Sequence, residues 1–136
     1  MQEYNVIIKI ILGRRGKMII YTLIMCLTMV ICGLLFVKRP PKEINTSIGY
    51  RTIMSSKNID TWNFAHKYAG KVWIISGIIT AFIACICFMI PKDIIEYEKL
   101  MIILEIFELV MLFLVIPITE IKLRKVFNKN GVRKNN

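Results

Sequence analysis

One histidine, His66, and four cysteines, Cys26, Cys32, Cys85 and Cys87, are the only strong transition-metal donors in this 136-residue chain. Zinc and haem sites need several such donors at set spacings, so no metal or cofactor site is expected. Cys85 and Cys87 are two residues apart and on a helix would point about 200° apart, too far to grip one ion. All four cysteines read as small apolar packing residues. Acidic residues are also scarce, nine Asp and Glu against nineteen Lys and Arg, for a net charge of +10. A basic surplus invites a nucleic-acid reading, but no nucleic-acid fold motif is present. No phosphate-binding loop or nucleophile–base set accompanies it either, so an enzyme is not the leading expectation.

What the chain has in abundance is apolar sequence, 56% of its residues. These gather into the blocks Met18 to Val37, Val72 to Ile90 and Leu100 to Thr119. The first two carry no charge, and the third carries Glu105 and Glu108. About 20 apolar residues in a helix rising 1.5 Å each cross roughly 30 Å of hydrocarbon. Backbone amides in lipid must bond internally, so each block is expected to be a helix. The fold class is therefore an all-α membrane protein with three transmembrane helices, forming one domain over 1–136. Lys and Arg fall outside the blocks, where they flank the spans and face anionic headgroups.

Arg14, Arg15 and Lys17 precede the first block as they would in a signal peptide. The block is longer than a signal core, and no A-x-A-like site follows it. Met25 before Cys26 is bulky where a lipoprotein site needs a small residue, so the helix is expected to be retained. Ahead of it, Tyr4 to Leu12 is too short to span and is broken by Lys9, which suits a segment lying in the interface.

With three crossings, the N-terminal segment and second loop share one side, carrying six basic residues. The first loop and the C-terminal tail share the other and carry thirteen. The positive-inside rule places the first loop and the tail in the cytoplasm, although the cluster ahead of the first helix argues the other way. The basic tail, 120–136, is expected to continue the third helix, lie against headgroups and then fray.

The loop between the first two spans is the most specific stretch. Pro40 and Pro41 end the first helix, and Asn45 to Gly49 has turn composition. Ser55, Ser56 and Asn58 are candidate caps for a helix that starts near Ile59 and runs into the second span, with Gly70 a weak point. On that helix Trp62, His66, Ala69 and Trp73 share one face. The polar members of the loop read either as an interfacial helix anchored by Trp62 or as a cluster of Arg51, Asn58, Trp62 and His66 beneath the bundle. The cluster would serve as a docking face or a headgroup site.

The run G-Y-R-T, then S-x-K-N, then W-x-x-A-H-K-x-x-G-K entering a membrane helix, resembles the signature of the SdpI family. Its matching positions here are Asn45, Gly49, Arg51, Thr52, Ser55, Asn58, Trp62, His66, Gly70 and Lys71, within a signature loop over 45–71. The likeness extends over roughly Met18 to Thr119. That family comprises small bacterial integral membrane proteins, named for one giving immunity to a sporulation-delaying peptide toxin. Longer members carry an extra membrane region ahead of this unit, an extension this sequence is expected to lack. The resemblance implies a non-catalytic membrane protein that protects against, or senses, a membrane-active peptide and holds a soluble regulator at its cytoplasmic face. Its implied partners are the bilayer, a peptide toxin and that regulator.

Glu105 and Glu108 lie three residues apart on one face of the third helix, with Glu108 about 12 Å into the bilayer. Carboxyls at such depth face the bundle interior or water. The row Ser76, Thr80 and Ala84 beside Gly77, Ala81 and Cys85 offers a close-packing face on the second helix, with Thr80 the expected partner of Glu108. The pair either locks the bundle or forms a peptide or proton site. Two alternatives stay open: a small intramembrane enzyme using His66 or the Glu pair, and a transporter subunit. Three helices are few for a pathway, so the latter requires a homo-oligomer.

Overall fold

A computed structural model describes residues 13–90 and 96–134. The interfacial segment expected over Tyr4 to Leu12, most of the second loop and the last two tail residues lie outside the described residues. Helix α1 is Arg14–Lys38, α2 is Ile59–Met89 and α3 is Tyr97–Val126. All three are long and apolar enough to cross a membrane, as their blocks of sequence require. Among the described residues there is no strand, and Phe127 and Arg133 form a lone antiparallel bridge.

At 31 residues, α2 is about 46 Å long, well beyond one hydrocarbon thickness. Its first turns are the second half of the signature loop, as the sequence implied. Helix α3 likewise runs past Thr119 to Val126. Both therefore project from the bundle at the same end, here called the loop end.

Helices α1 and α2 share the most extensive contact, and α1 and α3 the least. Gly33 and Gly70 make the tight crossing between α1 and α2. A Cβ on Gly33 would lie 2.6 Å from the Gly70 carbonyl oxygen, and one on Gly70 2.6 Å from that of Gly33. Gly70 is thus a point of close packing rather than a weak point in the helix. Further along, Gly77 faces Val30, Met29 and the Cys26 backbone. The small-residue face of α2 therefore partly serves α1. This is how helices associate where lipid removes the hydrophobic drive between them.

The larger buried cluster lies at the loop end and includes Tyr50, Met54, Ala65, Val115, Leu123 and Phe127. A smaller one, Ala84, Met101 and Leu104, lies toward the other end. Elsewhere the helices turn outward large side chains such as Leu23, Leu27, Phe82, Ile86 and Ile103, the surface a bilayer covers.

Candidate functional site

The chain leaves α1 at Arg39, and Pro40 and Pro41 prevent the helix from continuing. Trp62, fully buried, donates its indole N–H to the Pro41 carbonyl at 2.9 Å. Asn45 then closes a turn, its side-chain oxygen accepting the Ser47 and Ile48 amides at 3.0 and 2.8 Å. Gly49 follows with φ of 127°, a region that side chains with a Cβ rarely adopt. A Cβ here would also lie 2.3 Å from His66 Nε2. Both constraints demand glycine.

That close approach delivers the next amide. Tyr50 N–H donates to His66 Nε2 at 2.9 Å, and His66 Nδ1 lies 2.8 Å from the Trp62 carbonyl. Nε2 is an acceptor, so the proton sits on Nδ1 and is donated to Trp62, giving the neutral imidazole. The ring is fully buried, 4.4 Å from Trp62 and 5.0 Å from Phe36 between centroids. Both nitrogens are engaged with backbone, and neither Glu105 nor Glu108 is a partner. His66 holds the loop onto α2.

Tyr50 continues the attachment. Its hydroxyl donates to the Ile116 carbonyl at 2.9 Å, and Trp73 Nε1 donates to Leu112 at 3.2 Å. Both acceptors belong to the stretch of α3 before Pro117, which lacks an N–H for the Phe113 carbonyl. Burial first, and then the Glu120 carboxylate, push the Tyr50 phenol up to about 12.

The second half of the loop is a chain of caps. Thr52 and Ser55 exchange hydrogen bonds, the Thr52 amide to Ser55 Oγ at 2.8 Å and the Ser55 amide to Thr52 Oγ1 at 3.1 Å. The Thr52 hydroxyl donates to Glu120 of α3 at 3.0 Å. Asn58 caps α2 by accepting the Thr61 amide at 2.9 Å, while the Thr61 hydroxyl accepts the Asn58 amide at 3.1 Å, a capping box. Asn58 also donates to the Gly131 carbonyl at 2.8 Å, which draws in the tail.

The tail, through Lys134, does not fray. It turns back at Gly131, and Lys134 N–H donates to the Val126 carbonyl at 2.9 Å. Asn128 holds the turn by accepting the Asn130 and Val132 amides. Arg133 forks onto Asp60 at 2.7 and 2.8 Å and lies over the Phe127 ring. Lys57 donates to the Lys129 carbonyl. An acidic residue in the first turn of α2 and a tail cation thus close the cap, while the helix dipole favours Asp60 where it stands.

The expected cluster of Arg51, Asn58, Trp62 and His66 does not form as one group. Trp62 and His66 pack against each other with their rings tilted by 51°, Asn58 belongs to the tail junction, and exposed Arg51 donates to the Thr46 carbonyl. Lys71 is exposed on α2. Tyr50, Thr61, Glu120 and the Asp60–Arg133 fork were not singled out from sequence. The N-x-x-T spacing of Asn58 and Thr61 was readable as a cap, and Asn130–Gly131 as a turn.

The two carboxylates of α3 part company. Glu108 is 2% exposed, whereas Glu105 is exposed on the helix flank. The Thr22 hydroxyl of α1 donates to Glu108, and Glu108 Oε1 has no partner among the described residues. The expected Thr80 partnership is not made: its hydroxyl donates to the Ser76 carbonyl on its own helix at 2.8 Å. Among the described residues, no three His, Cys, Asp or Glu side chains stand together as metal ligands.

The geometry thus defines a helical membrane protein whose first loop and C-terminal tail are bonded into one cap. A family model described as the SdpI/YfhL protein family matches residues 42–119, which contain every signature position above. The chain belongs to that family. It is also 42% identical over 53 residues to the uncharacterized protein YfhL of Bacillus subtilis (strain 168), covering 39% of this chain and 48% of the relative. The match thus spans about half of the relative's length. No solved structure matches.

Proposed function

We propose that this protein gives immunity to, or senses, a membrane-active antimicrobial peptide, and that it acts by holding a soluble regulator against its loop-and-tail cap. The observation that supports this is how the signature residues are used. Gly49, Thr52, Ser55, Asn58, Trp62 and His66 all hold backbone in place. A loop locked so thoroughly is a preformed surface, and a rigid surface loses little entropy on docking. Its exposed charged side chains are mostly cationic, Arg39, Lys42, Arg51, Lys57, Lys67 and Lys71 against Glu43 and Asp60. That face suits an acidic protein partner, and the positive-inside rule places it in the cytoplasm.

Expression in a peptide-sensitive bacterium, with survival measured against toxin dose, tests the role. Protection should appear with the natural chain and fall when Arg39, Lys42 and Lys57 are changed together to Gln at equal protein level. No protection against any related peptide sinks the immunity arm. A regulator that stays soluble in cells expressing the protein sinks the sequestration arm.

A second reading, a proton or peptide site within the membrane, is favoured by the unpartnered Glu108 Oε1. An intramembrane enzyme has less support, because His66 spends both nitrogens on backbone groups and neither on a carboxylate.

A further inference from the structure

Between the loop and the bundle lies a cavity of about 320 Å³, lined by Phe36, Tyr50, Trp73, Leu112, Phe113 and Ile116, with Arg51 and Thr52 at its loop side. That volume is at the low end of the roughly 300–1,000 Å³ typical of small-molecule sites. Its wall is overwhelmingly apolar. Phe113 is 56% and Ile116 47% exposed, on the face of α3 that the bilayer covers, so the cavity opens sideways toward lipid. At the opposite rim Arg51 is exposed and bonds to the Thr46 carbonyl with one of its five N–H donors. Among the described residues it has no carboxylate within ion-pair reach. Glu120 on the loop side accepts from Thr52 and is paired with Arg124 at 2.8 Å. The rim therefore keeps an uncompensated positive charge above an apolar slot open to the hydrocarbon.

We infer that this cavity is a binding site for an anionic phospholipid of the surrounding leaflet, with the phosphate at Arg51 and an acyl chain between Phe36, Trp73 and Ile116. Three features converge on that occupant. A guanidinium forks onto phosphate oxygens through parallel N–H donors. The apolar slot excludes the glycerol and headgroup but accepts methylenes, whose burial is favourable at about 25 cal/mol per Å². Trp73 lines the slot near the loop end of α2 and donates its indole N–H to the Leu112 carbonyl. An indole so placed suits the membrane–water boundary and a headgroup beside it. A soluble anion would satisfy Arg51 but leave the slot empty. A neutral lipid would fill the slot but leave Arg51 unpaired. The inference stands apart from the immunity reading, since it concerns what the resting protein holds in the bilayer.

The test uses the full chain in bilayers of equal phosphatidylglycerol and phosphatidylcholine with identical acyl chains. After extraction into mild detergent, retained lipid is counted by native mass spectrometry. About one phosphatidylglycerol should remain, enriched about fivefold over phosphatidylcholine, the factor equivalent to the roughly 1 kcal/mol of one basic residue near an anionic surface. Arg51→Gln should bring the ratio close to one, and Arg51→Lys should keep part of it. Lys125→Gln removes the same charge from an exposed site on α3 at the same end, and should leave the ratio unchanged. Ile116→Trp, which fills the slot from its mouth, should lower retention of both lipids. If that variant unfolds, Phe113→Trp at the more exposed neighbour gives the same reading. Equal retention of the two lipids overturns the site. So does an unchanged ratio in Arg51→Gln, an equal loss in Lys125→Gln, or displacement of the phospholipid by free fatty acid.

Discussion

The two ends of the bundle are built on different terms. At the loop end, Asn58, Thr61, Ser55, Thr52, Tyr50, His66 and Trp62 each place a polar atom on a backbone group or a cap. Past Trp73 toward the other end, the bonds within the spans include those of Thr28 and Thr80 along their own helices and of Thr22 to Glu108. Lys99 and Glu96 pair in the open at the start of α3. The difference follows from the solvent. In the hydrocarbon a helix satisfies its own backbone, and helices need only close packing such as Gly33 on Gly70. Where the chain leaves the helices, its amides and carbonyls need partners, and an irregular loop buried under the bundle must find them in side chains. The signature is dense because the loop is irregular and partly buried at once.

If that contrast is right, damage should be graded by region. Gly49→Ala should do the most. It combines an unfavourable φ with a clash against His66, which breaks the buried Tyr50–His66 bond, for a cost of about 3 kcal/mol. Thermal unfolding in detergent reads it, and a loss below about 1 kcal/mol would mean that the loop is not held there. Asn58→Ala removes the cap of α2 and the bond to Gly131, a loss of about 2 kcal/mol. It should also release the tail, visible as cleavage beyond Val126 under limited proteolysis.

Tyr50→Phe removes one hydroxyl bond and should cost about 1 kcal/mol at neutral pH. Its pH dependence is more telling. The folded protein holds the Tyr50 phenol neutral up to about 12, above its ordinary 10. The group's stabilisation is therefore complete below about pH 10 and is lost as pH rises toward 12. Alkaline titration of natural chain and variant, compared as a difference, should show that extra loss only where the tyrosine remains.

Predictions for the membrane half are milder. Glu108→Gln keeps the shape and an acceptor for Thr22, so stability should change by less than about 1 kcal/mol. A larger loss would show that the bundle depends on an ionised carboxylate. Asp60→Asn should act least, because it opens an exposed ion pair whose worth falls with added salt. Its expected trace is faster tail proteolysis at low salt with little change in unfolding temperature.

Much of this architecture is legible in the sequence. The helical blocks, the capping role of Asn58 and the continuous run of Ile59 into the second span all follow from period, length and cap chemistry. The signature positions are legible as a set, but their grouping is not. Arg51, Asn58 and His66 share a loop, yet they bond to Thr46, Gly131 and Tyr50 respectively. Spacing along a chain says which residues share a helix face, and not which carbonyl a turn brings within 3 Å. The same limit hides the tail, since a basic, polar run reads as frayed unless its partners Asn58 and Asp60 are known.

The sequence by itself determined the helical membrane architecture, because the bilayer leaves a long apolar segment almost no other way to bury its amides. It also carried the family, through side chains set at fixed spacings around two glycines. Only the tertiary structure decided what those side chains do. It made His66 a neutral clasp for Tyr50, split Glu105 from Glu108, paired Glu108 with α1 and left Arg51 at the rim of an apolar cavity. Those outcomes depend on contacts between residues far apart in the chain, whose partners are set by how the helices cross.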